Sequence, residues 1–276
     1  MIRYLYCRAT MEKKPASRIA TADKFAFVLV RPKSAGNIGS AARALANMGF
    51  AELRVVAPAA SPAAQEALAM AVHGREVLER ARVFPSLSEA LEDCTLSVGT
   101  TCRSGLYRSS VRPLRESIAE LLALSASNRI AFVFGPEDTG LTNREIKFCQ
   151  HLVTIQTGPN YPSLNLSQAV LVVAYELMMM AMRESTISPT AAPELAPVAD
   201  VDAMLERMKD ALLAIGFLPE NNPEHIMFAL RGIFGRSGLS RREVDILSGI
   251  ASQTRWAAEG GYRTLRSKRR SGRKLK

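Results

Sequence analysis

Three segments of this 276-residue chain combine glycine or proline turns with polar side chains that could act on a ligand. The first, 34–43, opens a predicted helix with two glycines and carries Arg43. Free amide groups at a helix start, together with a guanidinium one turn further on, could bind an anion such as phosphate. The spacing matches neither the dinucleotide-binding pattern GxGxxG nor the phosphate loop that ends in Gly-Lys-Ser/Thr. An ordinary glycine-rich turn with a surface arginine explains the same residues, and residue types alone favour it.

The second segment, 134–143, places two carboxylates side by side at Glu137 and Asp138. Such a pair could supply a general acid and a general base. However, adjacent side chains usually point in different directions, and acidic residues near a helix start are also stabilised by the helix dipole. A catalytic pair and a plain strand-to-helix turn therefore stand as equal alternatives.

The third segment, 158–168, is a proline-rich turn that leads into a helix, with Ser163 as the predicted N-cap. Capping does not explain why Asn165 and Ser167 enter an otherwise apolar helix. Buried polar side chains need partners, and a ligand is one candidate. A weaker fourth segment, 99–105, contains Cys102, which has no histidine nearby in the sequence and is predicted to be a small packing residue.

The elements that would position these segments alternate between apolar β-rich runs and helical patterns from residue 25 onward. Strands are predicted at 25–30, 53–57, 95–99, 130–135 and 152–156, and helices at 37–48, 63–70, 75–80, 113–124, 142–150 and 163–182, with a short one opening at Ser86. This alternation predicts an α/β domain whose parallel sheet has helices on both faces. The four polar segments follow predicted strands, at the edge where α/β folds bind ligands.

Beyond this domain the pattern changes to helices only. We expect a flexible basic lead-in at 1–23, the α/β domain at 24–183, a proline-containing linker at 184–200, a helical extension at 201–260 and a basic tail at 261–276. The extension is a small all-α unit that is too short to bury much core alone, so it should pack on another surface.

The formal charge of +10 lies at the two ends of the chain. Residues 1–24 carry +4 and residues 255–276 carry +8, which leaves the body near −2. An excess of this kind suggests a polyanionic partner, either nucleic acid or an acidic membrane surface. No secretory signal is visible, and the longest apolar run, 169–182, is too short to span a bilayer. Four scattered cysteines and three unpaired histidines predict a soluble, cytoplasmic protein without disulfides or structural metal.

Taken together and in order, the three main segments resemble the motifs of the SPOUT (TrmH-class) RNA 2′-O-methyltransferases. The matching residues are Asn37-x-Gly39-x-x-x-Arg43, Phe134-Gly135-x-Glu137-x-x-Gly140-Leu141-Thr142-Asn143 and Tyr161-x-Ser163-Leu164-Asn165-Leu166-Ser167-x-Ala169. The resemblance covers residues 25–182 closely and the helical extension in outline. It implies a C-terminal trefoil knot in the α/β domain, S-adenosylmethionine (S-adenosyl-L-methionine) as cofactor, and a homodimer. The arrangement is most similar to members that methylate tRNA at nucleotide 32 of the anticodon loop.

The resemblance also implies roles for individual residues. The implied cofactor-binding residues are Thr100, Thr101, Cys102, Gly135, Glu137, Gly140, Ile155, Pro162, Ser163 and Leu164. Arg43 would serve the target 2′-hydroxyl, while Asn37, Ser163 and Asn165 would shape the site. Because an arginine side chain loses its proton only above about pH 12, we expect Arg43 to hold the adjacent phosphate and polarise the hydroxyl rather than act as a base.

Two alternatives remain at this level. One is a methyltransferase of the same fold that acts on ribosomal RNA or on a base. The other is a non-catalytic RNA-binding module, which the intact Gly135, Glu137, Ser163 and Asn165 disfavour. The sequence leaves open the target nucleotide, the role of residues 1–23, and whether one subunit presents RNA to the other's cofactor.

Overall fold

A seven-stranded parallel sheet is the framework of the computed structural model, which describes residues 22–103, 111–184 and 193–261. The strands are β1 (Phe25–Val30), β2 (Leu53–Val56), β3 (Arg82–Phe84), β4 (Leu96–Thr100), β5 (Arg112–Pro113), β6 (Ile130–Phe134) and β7 (His151–Thr154). Their order across the sheet is β3-β2-β1-β6-β4-β7-β5, and every pair is parallel. The carboxyl ends of β1, β6, β4 and β7 therefore lie next to one another at one edge.

Helices cover both faces of this sheet. They are α1 (Ala35–Asn47), α2 (Gln65–Ala71), α3 (Arg75–Glu79), α4 (Leu87–Ala90), α5 (Leu114–Leu124), α6 (Asn143–Ile146) and α7 (Leu166–Glu184), followed by α8 (Val198–Ala214), α9 (Glu224–Ser237) and α10 (Arg241–Ala258). Alternate residues of β1 enter different cores: Phe25 and Phe27 pack with α1, α2 and α7, whereas Ala26 and Val28 face α4 and α6. Because the central strands are buried on both faces, their sequences are continuous apolar runs.

An ion cluster holds α4 against β2, away from the polar loops. Arg54 is 1% exposed and donates to both Asp93 oxygens, at 2.5 and 2.8 Å, and to the Ala90 carbonyl at 2.6 Å. Burial alone would raise the pKa of Asp93, but the hydrogen bond and charge of Arg54 and the charge of Arg129 outweigh it and lower that pKa to about 2. Arg54 is buried together with a carboxylate and a carbonyl that accept its hydrogen bonds, as a buried charge requires.

The last three helices form a cluster of their own, around Met204, Leu205, Met227 and Val244, and dock on the α/β domain. The Val198 amide donates to the Cys94 carbonyl at 2.9 Å, and Lys147 pairs with Glu224. The parallel α/β sheet with a small all-α extension is therefore confirmed. The knot and the domain boundaries stay predictions, and residues 1–21, 185–192 and 262–276 lie outside the described ranges.

Several element boundaries differ from the expectations. The sequence pattern does not predict β3 or β5. Strand β3 has three residues at the edge of the sheet and β5 is an Arg-Pro pair, so neither shows a recognisable apolar pattern. Pro113 precedes α5 instead of lying in its first turn, since its ψ of 137° is extended. Helix α6 ends at Ile146 instead of reaching Gln150. Helix α7 begins at Leu166, not Ser163, and extends to Glu184.

Helix α7 is long and apolar enough to cross a membrane by length and composition, the one such helix among the described residues. The run was expected to be too short for this. Core helices of soluble proteins pass the same test, and Val170, Val173, Ala174 and Leu177 of α7 are buried against the sheet.

Candidate active site

A cleft of about 770 Å³, partly open to solvent, lies where the loops after β4, β6 and β7 meet. It is lined by Thr100, Thr101, Cys102, Arg103, Phe134, Gly135, Pro136, Glu137, Asp138, Gly140, Leu141, Ile155, Pro162, Ser163, Leu164, Leu166 and Ala169. All ten residues expected to contact the cofactor lie on this lining. Among the four expected catalytic residues, Ser163 lines it, and Arg43, Asn37 and Asn165 do not.

The loop after β6 folds back onto its own start. A Cβ on Gly135 would lie 2.2 Å from the Gly140 carbonyl carbon and the Leu141 nitrogen, so a side chain at this position would collide with backbone. Gly140 has φ +59°, a left-handed conformation that favours glycine, and its amide donates to the Pro136 carbonyl at 2.9 Å. The two glycines of this motif therefore shape the loop that forms one wall of the cleft.

Glu137 points from that loop toward the start of α1. Its carboxylate accepts from the Asn37 side-chain nitrogen at 2.6 Å and from the backbone amides of Lys33 and Ser34 at 3.1 and 3.4 Å. Burial raises the pKa of Glu137, but these hydrogen bonds outweigh it and lower that pKa below its usual value. The Lys33 and Ser34 amides, just before α1, are thus occupied by the chain's own carboxylate.

Asp138 points elsewhere and pairs with the Lys33 ammonium at 2.6 Å, which lowers the pKa of the Asp138 carboxyl. Both neighbouring carboxylates are therefore ionised near neutral pH, so neither is poised to donate a proton as a general acid. Of the two readings of this segment, the acid–base pair is not supported.

Asn165 connects the third segment to the first. Its side-chain nitrogen donates to the Asn37 side-chain oxygen at 3.0 Å, and its own side-chain oxygen accepts from the Ser167 amide at 2.9 Å and hydroxyl at 2.7 Å. Asn165 thereby caps α7, and the prediction that Ser163 does so is wrong. Ser163 stays exposed on the cleft lining. The series Glu137–Asn37–Asn165 joins all three sequence motifs by direct hydrogen bonds.

The glycines of the first motif serve helix packing. Ser34 caps α1 by accepting from the Asn37 amide at 3.2 Å, and Gly36 and Gly39 lie inside the helix. A Cβ on Gly39 would lie 2.0 Å from the Ala67 carbonyl oxygen of α2, so this glycine permits the close crossing of the two helices. Helix packing therefore accounts for Gly39 without an anion site, in line with the structural alternative that the residue types favour.

Arg43 lies on the exposed surface of α1, away from the cleft lining. It forms no hydrogen bond or ion pair with any residue in the described ranges, so its guanidinium is available to a ligand. Cys102, expected to pack, is instead exposed on the cleft, whereas Cys94 is buried. Within the described ranges no group of three or more His, Cys, Asp or Glu side chains could hold a metal ion.

Sequence reasoning missed Arg31 and Lys33, which contact Glu145 of α6 and the loop after β6. No motif singled them out, because one contact is made by a backbone amide and the others by cationic side chains whose partners lie more than 100 positions away. Their role follows only from the adjacency of β1 and β6 in the sheet.

Two family models match this chain. The model described as the SpoU rRNA methylase family matches residues 24–175, and the model of the tRNA methyltransferase TrmJ C-terminal domain matches residues 199–269. The first match covers the α/β domain up to the middle of α7. The second begins within α8 and includes α9 and α10.

Curated relatives match over nearly their whole length. The tRNA (cytidine/uridine/adenosine-2′-O-)-methyltransferase TrmJ of Pseudomonas aeruginosa is 37% identical over 250 residues, which is 86% of this chain and 96% of the relative. The tRNA (cytidine/uridine-2′-O-)-methyltransferase TrmJ of Escherichia coli is 37% identical over 227 residues, 81% of this chain and 92% of the relative.

Solved structures agree with these matches. The crystal structure of TrmJ from Z. mobilis superposes with a TM-score of 0.71 at 30% identity, covering 83% of this chain and 97% of that one. A putative methylase family protein from Neisseria gonorrhoeae superposes with a TM-score of 0.61 at 31% identity, covering 68% and 96%. With both parts of the chain matched, and the three motifs joined in one hydrogen-bonded site, this chain belongs to the SpoU methylase family and, within it, to the TrmJ proteins.

Proposed function

We propose that this protein transfers a methyl group from S-adenosylmethionine to the ribose 2′-hydroxyl of tRNA, at nucleotide 32 of the anticodon loop. The single observation that carries the proposal is the convergence of the cleft-lining loops on the Glu137–Asn37–Asn165 network, in a chain of the TrmJ family. The relatives from E. coli and P. aeruginosa are both named as tRNA 2′-O-methyltransferases, which supports tRNA over ribosomal RNA. A cytoplasmic location fits that substrate.

The lining of the cleft suits S-adenosylmethionine in its chemistry. Apolar side chains such as Ile155, Leu164 and Leu141 supply walls for an adenine ring. Within the described ranges, the loop 157–164 forms no backbone–backbone hydrogen bond, so its amides and carbonyls are available to polar ligand atoms. When bound, this cofactor would supply an activated methyl group on a positively charged sulfur.

The work of the chain's own residues is then alignment and charge placement. Glu137, Asn37 and Asn165 fix the three loops relative to one another, since each side chain has a partner in the next motif. Arg43 holds the phosphate beside the target ribose and polarises the hydroxyl. Ionised Glu137 accepts from Asn37 of α1 and from the Lys33 and Ser34 amides just before it, so it shapes the cleft instead of moving a proton.

We also propose a homodimer. Helix α7 exposes Leu171 at 38% and Tyr175 at 44%, an apolar surface next to the third motif that a second copy would cover. Arg43 lies outside the cleft lining of its own chain, so a partner's Arg43 is a candidate for completing the site. The basic segment 262–276 would add a non-specific hold on the RNA backbone.

The test is methylation of total RNA from a strain that lacks this gene, with labelled S-adenosylmethionine, followed by mass mapping of the modified nucleoside. We expect one 2′-O-methylated nucleotide at tRNA position 32. Transcripts that carry each of the four nucleotides at that position then give the base preference. Label in ribosomal RNA or on a base would favour the related enzymes, and a protein that neither binds the cofactor nor transfers label would be a non-catalytic module.

A further inference from the structure

Arg31 follows the last residue of β1 in a conformation that arginine rarely adopts. Its φ is +47°, in the left-handed region where a side chain is strained and glycine is not. Strained residues persist where the surrounding structure holds them, and they concentrate near functional sites. The Arg31 amide donates to the Val56 carbonyl at 2.8 Å, and its guanidinium forms an ion pair with Glu145, 114 residues later in the chain.

Glu145 is an unusual partner because it is buried and also forms the capping box of its own helix, α6. It is 8% exposed, and one of its oxygens accepts from the Thr142 amide at 2.7 Å and from the Thr142 hydroxyl at 2.9 Å, which completes the capping box of α6. The Arg31 guanidinium contacts both carboxylate oxygens, the second at 3.3 Å. Glu145 thus ties the start of α6 to the end of β1.

The β6 loop, residues 135–142 between β6 and α6, is held by contacts at both of its ends. At its beginning, Glu137 accepts from the Lys33 and Ser34 amides and Asp138 pairs with the Lys33 side chain. At its end, Thr142 is held by Glu145, and Glu145 by Arg31. Between these ties lie Gly140 and Leu141, which line the cleft. The loop that would contact the cofactor is therefore fastened at both ends to the segment 31–34.

That segment also leads into α1, which begins at Ala35 and carries Arg43. We propose that Arg31 and Glu145 are positioning residues, whose ion pair sets the β6 loop at the distance from α1 that cofactor binding requires. Neither residue lines the cleft, so both act through the loop. The inference rests on the proposed function, since it assigns these residues to the cofactor side of the same site.

Three substitutions separate the ion pair from other effects. Arg31→Gly removes the guanidinium while relieving the strained φ, because glycine occupies this region freely. Glu145→Gln removes the charge but keeps an oxygen for the capping box, in which glutamine is an accepted residue. Arg31→Lys retains a cation. Arg75→Ala is the matched control, since it breaks an exposed Arg75–Glu79 pair on α3, outside the cleft lining.

The measurements are calorimetric binding of S-adenosylhomocysteine, tRNA binding, and steady-state kinetics of the full chain. We expect Arg31→Gly and Glu145→Gln each to raise the Kd for S-adenosylhomocysteine and the KM for the cofactor by about 5- to 20-fold. The Kd for tRNA should be unchanged, and Arg31→Lys should recover much of the loss. The double variant should bind no more weakly than the weaker single variant, because both remove one shared pair.

Each other result has a defined meaning. Wild-type affinity in both Arg31→Gly and Glu145→Gln would overturn the positioning role. An equal loss of cofactor and tRNA affinity would also overturn it, because the pair would then stabilise the domain as a whole. If the wild-type protein itself fails to bind S-adenosylhomocysteine, the proposed function fails, and that outcome is distinct from either of these.

Discussion

At the scale of the residue, partners decide what each polar side chain can do. Glu137 and Asp138 are adjacent in sequence, yet one contacts the start of α1 and the other the Lys33 ammonium. Both have a lowered pKa, so both serve as anions and acceptors. Arg43 differs from them because no side chain among the described residues neutralises it. Its guanidinium can therefore meet a negatively charged substrate.

We therefore predict that Arg43→Ala retains cofactor binding and loses methyl transfer. Loss of one preorganised cationic donor at developing charge should lower kcat by about 10²- to 10³-fold. Calorimetry with S-adenosylhomocysteine and single-turnover methylation of tRNA measure the two properties separately. Arg75→Ala, an exposed arginine on neighbouring α3, is the control and should behave as wild type.

A mixed dimer then shows which subunit supplies Arg43. Gly135→Ala should prevent cofactor binding, because its Cβ would collide with the loop backbone. Co-expressed Arg43→Ala and Gly135→Ala chains, purified through two tags, regain activity only if Arg43 acts on the partner's cleft. Inactive heterodimers would place Arg43 in its own subunit's site, and full activity of Arg43→Ala alone would contradict its role.

At the scale of the element, close backbone approach governs the first and second motifs. Gly39 allows α1 to cross α2, and Gly135 allows the β6 loop to return on itself. Neither glycine is needed for a phosphate. Both are needed because backbone atoms of a neighbouring segment occupy the position that a Cβ would take.

The two glycines of α1 give a matched test of this view. Gly39→Ala should lower the free energy of unfolding by about 1–3 kcal/mol, since the new Cβ meets the Ala67 carbonyl oxygen at 2.0 Å and α2 must shift. Gly36→Ala meets the movable Glu66 carboxylate at 2.5 Å and gains helix propensity, so we expect a change within about 1 kcal/mol.

Urea denaturation of both variants and the wild type supplies the numbers. Equal destabilisation by the two substitutions would mean that loss of glycine flexibility, and not the α1–α2 crossing, explains the effect.

At the scale of the whole molecule, the excess positive charge lies at the two ends of the chain and not in the α/β domain. The body of the chain is near neutral, and eight basic residues with no acidic residue lie in 262–276, directly after the helical extension. The extension docks on the α/β domain through contacts such as Lys147–Glu224 and Val198–Cys94. On the proposed function, this basic segment contributes affinity for RNA, and the loops after β4, β6 and β7 bind the cofactor.

Deletion of 262–276 should accordingly weaken tRNA binding and flatten its dependence on salt. Each lost phosphate contact reduces the slope of log K against log salt by about 0.7–0.9. Binding measured between about 50 and 200 mM salt, with calorimetry of S-adenosylhomocysteine alongside, separates the two sites. Replacement of the segment by an uncharged linker of equal length is the control for chain length. Loss of cofactor affinity in the deletion would show that this division of tasks is wrong.

The sequence by itself determined the class of this protein and much of its framework. Continuous apolar runs predicted the central strands because burial on both faces demands them, and three motifs in order identified the family. The motifs also named residues that the structure gathers on one cleft, although their roles stay predictions. Local pattern sufficed where each residue's neighbours along the chain set its environment.

Tertiary structure alone decided which groups meet. The Glu137–Asn37–Asn165 network and the Arg31–Glu145 pair join residues about 100 or more positions apart, so no local pattern encodes them. The packing role of Gly39 likewise depends on where α2 lies. Parallel strands bring distant loops to one edge of the sheet, and that adjacency, a property of the folded chain, forms the site.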